Sequence, residues 1–140
     1  MLFNKEQLGR IYDRTSGYCH ICHKKLSRAN YGVNGAKGAW HVEHSKPRCD
    51  GGTDHMNNLF PACIGCNCQK GRSATPVARR RNGKTRAPLN PEQRQHAKFE
   101  NGVAGIVVGG LAGAAFGPLG ALVGAVAGAC VGSSGNPDRV

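Results

Sequence analysis

Two Cys-x-x-Cys pairs, Cys19/Cys22 and Cys63/Cys66, constrain this chain more than any other feature in it. Four thiolates are the usual closed tetrahedral set of a structural zinc site. Gathering them makes residues 23–62 an insert held between two halves of one metal frame. Met1–Arg10 are polar and mixed in charge, without the apolar stretch of a secretory signal peptide. A reducing, cytoplasmic setting with a bound metal is therefore expected rather than a disulfide framework. A redox role would need one reactive Cys-x-x-Cys in a βαβ setting, and no βαβ pattern is present. A body this small has a thin core, so about 10–16 kcal/mol of zinc binding would act as folding free energy. His20 and His23, beside the first pair, are read as solvated loop residues, and Cys49, Cys68 and Cys130 as spare thiols.

The rest of the first half reads as short elements. Asn4 caps a helix over Lys5–Arg14 whose Leu8, Ile11 and Tyr12 share one face, and Ser16-Gly17 ends it. Residues 30–38 are a glycine-rich loop. Ala39–His44 is a strand with Trp40 in the core, followed by a loop marked by Pro47 and Gly51-Gly52 and containing His55. A short helix is expected from Ile64 to Lys70, after the second cysteine pair. Asn90-Pro91 starts another helix running through Phe99, with Gln93 at the capping-box position.

Charge divides the chain. There are 19 Lys and Arg against 8 Asp and Glu, a net +11. Residues 101–140 carry only Asp138 and Arg139, so the whole excess lies in residues 1–100. Such a body suits a polyanion, nucleic acid first and anionic lipid second. Residues 72–89 hold Arg72, Arg79, Arg80, Arg81, Lys84 and Arg86 with no acid, and are read as a basic linker.

Asn101 to Pro137 is uncharged. Its glycines recur every fourth residue at 105, 109, 113 and 117, then at 120, 124, 128 and 132, with one break at Gly117-Pro118-Leu119-Gly120. The small-xxx-small spacing lets helix backbones approach closely and predicts two helices joined at Pro118. Each arm is short for a bilayer span, about 22 Å at 1.5 Å per residue. Glycine costs about 0.8–1.0 kcal/mol per helical position relative to alanine, which makes such a hairpin poor in water. Membrane association through 102–132, and a homo-oligomer through the glycine faces, are expected. The segment resembles the glycine-zipper tails of small bacterial membrane proteins. The positive-inside tendency would leave the basic body on the cytoplasmic side.

The insert also carries chemistry. Trp40-His41-Val42-Glu43-His44 is followed by Pro47, Gly51-Gly52-Thr53-Asp54, Asn57-Asn58-Leu59 and Cys66-Asn67-Cys68-Gln69-Lys70-Gly71. A neutral imidazole serves as a base near pH 7, and carboxylate and amide oxygens are what a hard cation such as Mg²⁺ prefers. These residues resemble the HNH endonuclease family, the ββα-metal nucleases with paired zinc knuckles. The family's pattern is an acid–His pair, a Pro three residues on, a Gly-Gly loop, an Asn-Leu and Cys-x-x-Cys-Asn-x-x-Lys-Gly. The match runs in order over about 50 residues of the chain. The resemblance implies that Cys19, Cys22, Cys63 and Cys66 hold structural Zn²⁺. It makes His44 the general base, Asn58 the residue orienting its loop, and Glu43 and Asn67 the ligands of a catalytic Mg²⁺-type cation. Lys70 would face the scissile phosphate. Independently of the resemblance, the basic run makes Arg72, Arg79, Arg80 and Arg81 the expected nucleic-acid contacts. The family more often has Asp where Glu43 stands. Strand alternation also sends Glu43 and His44 to opposite faces, so the pair acts together only if the strand ends or bulges there. His41 is read as a strand residue.

The expected fold is thus small α+β. It has a zinc-stapled ββα-metal domain over 1–71, a basic linker and short helix over 72–100, and a glycine-zipper helical hairpin over 101–137. The expected function is metal-dependent hydrolysis of nucleic acid, DNA before RNA. The alternatives are a catalytically silent zinc module that binds DNA, and a membrane-inserting, toxin-like protein carrying a nuclease.

Overall fold

The computed structural model describes residues 3–134. The chain forms two compact units that meet between Pro91 and Glu92. The class is small α+β, with a two-stranded sheet and five α-helices among the described residues.

In the first unit, α1 (Lys5–Asp13) begins at a capping box in which Asn4 and Gln7 satisfy each other's backbone N–H. It buries Ile11. The antiparallel strands β1 (Trp40–His44) and β2 (Leu59–Cys63) pair in unbroken register from Trp40↔Cys63 to His44↔Leu59. Helix α2 (Ile64–Lys70) follows β2 without a loop. The core is small: Ile11, Ile21, Leu26, Trp40, Leu59, Ala62 and Ala78. Trp40 anchors it. Its indole N–H donates to the Ser27 carbonyl at 3.0 Å, and the rings of Tyr12 and Tyr31 pack against it with centroids 5.5 and 5.0 Å away. Arg14 extends α1 towards the sheet, donating to the Leu59 carbonyl at 2.7 Å and lying 3.8 Å over the Phe60 ring.

The stretch read as a basic linker contains α3 (Thr75–Arg81), with Pro76 in its first turn. This helix is docked on the body. Ala78 is in the core, and the Arg79 guanidinium donates to the His20 carbonyl at 3.1 Å and to His20 Nε2 at 2.9 Å. The run of arginines concealed the buried side of α3, where Thr75, Ala78 and Arg79 lie at helical spacing.

In the second unit, α4 (Pro91–Gly113) continues well beyond Phe99, and a 3-10 turn at Ala114–Phe116 leads into α5 (Gly117–Ser134). Two helices are present, but the break falls at Ala114–Phe116 rather than at Pro118, which lies in the first turn of α5, and the first arm is continuous with the helix expected to end near Phe99; 135–137 lie outside the described residues. The glycines face one another across the seam. A Cβ on Gly105 would fall on the Gly128 carbonyl, and one on Gly109 on the Gly124 carbonyl. The zipper is therefore used within the hairpin. Val107, Val108, Leu111, Leu122, Val123, Val126 and Val131 are exposed. Among the described residues no helix is long and apolar enough to cross a membrane.

Candidate metal centre and adjoining cleft

Cys19 and Cys22 lie on a tight turn between α1 and β1, where the Cys19 N–H donates to the Lys24 carbonyl and the His23 N–H to the Cys19 carbonyl. Cys63 ends β2 and Cys66 lies in the first turn of α2. The turn is fastened to the sheet, since the His20 N–H donates to the Pro61 carbonyl at 2.8 Å. The four sulfurs lie within 4.8 Å of one another, and Cys22 Sγ is 3.8 Å from Cys63 Sγ. A tetrahedral zinc with Zn–S bonds of about 2.3 Å spaces its sulfurs by roughly that distance. The Cys63 N–H also donates to Cys19 Sγ at 3.3 Å. Hydrogen bonding from Cys22 lowers the Cys19 thiol to about 6, and thiol donation from Cys19, Cys22 and Cys66 lowers Cys63. Cys22 and Cys66, the donors, are raised. Crowding the four sulfurs thus favours the thiolate form at Cys19 and Cys63, the form a cation binds. The group could hold a metal such as zinc, and among the described residues it is the one cluster of this kind.

His20 is not a solvated loop residue. It is buried, stacked on Phe60 at 3.8 Å, and held neutral. Burial first, and Arg79 second, lower its pKa to about 3. Cys49, Cys68 and Cys130 are exposed.

Phe3, Tyr31, His41, Val42, His44, Arg48 and Asn67 line an open cleft of about 420 Å³. Asn67 reaches it because it follows Cys66 on α2. His44 ends β1, and its Nε2 lies 2.7 Å from Asp54 Oδ1. Arg48 Nε donates to the same oxygen at 3.0 Å. These donors, His44 first, hold the Asp54 carboxyl below its usual range. Asn58 braces the loop that carries Asp54. Its Oδ1 accepts from the Lys46 N–H at 2.8 Å, and its Nδ2 donates to the Thr53 and Lys46 carbonyls at 2.8 and 3.1 Å. Gly51 turns the same loop at φ 80°, and Gly52 comes so near the Lys46 carbonyl that no Cβ would fit.

Three expected roles need correction. Glu43 does not reach the cleft. β1 keeps its register, so Glu43 and His44 separate, and the Glu43 carboxylate is fully buried 3.0 Å from Lys70 Nζ and 2.6 Å from the Thr75 hydroxyl. Lys70 accordingly is not a free phosphate contact. It is buried against Glu43 and also donates to the His44 carbonyl at 2.9 Å. Arg79 is buried on His20 and unavailable to nucleic acid, whereas Arg72, Arg80 and Arg81 are exposed. A hard cation finds a poor donor set here. Asn67 is present, Glu43 is turned away, and Asp54 is engaged by His44 and Arg48. Sequence reasoning gave Arg48, Asp54 and Thr75 no role. Asp54 sat inside the quoted Gly-Gly-Thr-Asp stretch, and Arg48 was signalled only by its place beside Pro47. Comparison with family models, curated proteins and solved structures finds no match.

Proposed function

We propose that the first unit hydrolyses nucleic-acid phosphodiester bonds, DNA before RNA, as a nuclease of the HNH type with His44 as general base. One observation carries the reading: His44 and Asn67, expected to act together from the resemblance, line the same cleft. In this reading the neutral His44 imidazole takes a proton from water. The water oxygen forms a bond to phosphorus, the bond from phosphorus to the leaving oxygen breaks, and that oxygen takes a proton from solvent. Arg48 at the cleft and the exposed Arg72, Arg80 and Arg81 supply positive charge for the phosphates. Zinc on the four cysteines would hold the frame. The Mg²⁺-type cation that the resemblance implies would keep Asn67 alone of its two expected ligands, so no step is assigned to it.

The burial of Glu43 under Lys70 favours a second reading, a zinc module that grips DNA without cutting it. The second unit accompanies either. Its uncharged hairpin with exposed valines and leucines supports seating on a lipid surface rather than crossing one. The test is nicking of supercoiled plasmid by the full-length, zinc-loaded protein, with Mg²⁺, with Mn²⁺ and with neither, beside a gel-shift assay. Nicking that His44→Ala abolishes, with DNA affinity kept, is the expected result. Binding without nicking under every condition would leave the silent module.

A further inference from the structure

We infer that Asp54 is the positioning carboxylate of the cleft, holding the His44 proton on Nε2 and leaving Nδ1 as the basic atom. The inference rests on His44 being the base and adds the group that sets its tautomer.

An ionised carboxylate can only accept hydrogen bonds. Asp54 Oδ1 lies 2.7 Å from His44 Nε2, so that nitrogen must carry the proton. Arg48 Nε stands 3.3 Å from the same nitrogen, but a protonated Nε2 has no lone pair to offer it. The arginine donates to Asp54 Oδ1 instead, through Nε at 3.0 Å and also through Nη2, so one oxygen collects three donors and stays charged. In a neutral imidazole the other nitrogen, Nδ1, then bears the lone pair. It has no hydrogen-bond partner among the described residues.

The carboxylate is itself fixed. It rides on the loop between β1 and β2, whose Thr53 carbonyl is tied by Asn58 Nδ2 at 2.8 Å. The backbone of His44 is fixed separately by Lys70 on its carbonyl at 2.9 Å. Asp54 thus governs the ring while Lys70 governs the main chain, and removing Asp54 frees the ring and the Arg48 guanidinium but leaves the main chain held.

The test reads the ring directly. Long-range proton–nitrogen correlation on ¹⁵N-labelled, zinc-loaded full-length protein, with the His44 signals assigned by their loss in His44→Ala, reports the tautomer. The parent should show Nε2–H. Asp54→Ala should give a mixture, and Asp54→Glu should restore part of the preference. In the nicking assay, Asp54→Ala should lower kcat about 10- to 100-fold with KM nearly unchanged, while zinc content and Trp40 fluorescence stay at parent values. Should Asp54→Ala lose zinc, the isosteric Asp54→Asn takes its place. An Nδ1–H tautomer in the parent, or an unchanged tautomer in the variant, overturns the inference. Absence of nicking by the parent would defeat the base reading alone, because the tautomer would still decide what Asp54 does.

Discussion

Lys70 and Glu43 form an ion pair that water hardly reaches, with relative side-chain exposures of 4% and 0%. Breaking such a pair from one side strands a charge in the interior and costs about 3–5 kcal/mol, whereas replacing both partners by apolar groups is often neutral. Glu43→Ala should therefore lower the stability of the body by about that amount in denaturant titration, and the double variant Glu43→Leu with Lys70→Met should recover most of it. A Glu43→Ala protein that unfolds like the parent would remove the carboxylate from this structural role. The pairing was not legible in the sequence because its partners are 27 positions apart and meet only when α2 folds back on β1. The separation of Glu43 from His44 was legible, since alternation alone requires it in a strand without a bulge.

At the level of elements, β1, α2 and the glycine-paired helices were readable from short-range rules: apolar alternation, cysteine placement and a four-residue period. Helix α3 was hidden because its composition resembles a linker and its partners, His20 and Glu43, are far away in sequence. The hairpin offers a pair of neighbouring positions that separates propensity from packing. Alanine gains about 1 kcal/mol over glycine in a helix interior. At Gly110 the added methyl would meet Ala125 Cβ at an ordinary 3.7 Å, but at Gly109 it would meet the Gly124 carbonyl at clashing range. Gly110→Ala should raise the thermal midpoint of the helical signal at 222 nm, and Gly109→Ala should lower it. Shifts of the same sign would mean that the arms do not approach closely.

Across the whole molecule, the two units are held by different physics. The cysteine cluster joins a turn, the end of β2 and the start of α2, whereas the contacts between α4 and α5 use none of those cysteines. Chelating the metal from the full chain should release Trp40, the one tryptophan, from the core and shift its fluorescence to the red. Much of the helical signal from α4 and α5, 23 and 18 residues long, should survive. Unchanged Trp40 emission after verified metal removal would show that the body stands without its staple. Cys66 and Asn67 are consecutive residues of one short helix, so a residue that could hold a metal and a wall of the cleft move as one piece. Metal content is then a census rather than a dial. If zinc fills the cluster, a half-loaded sample is a mixture of molecules whose cleft wall is pinned and molecules whose wall is not, rather than a population of half-pinned ones.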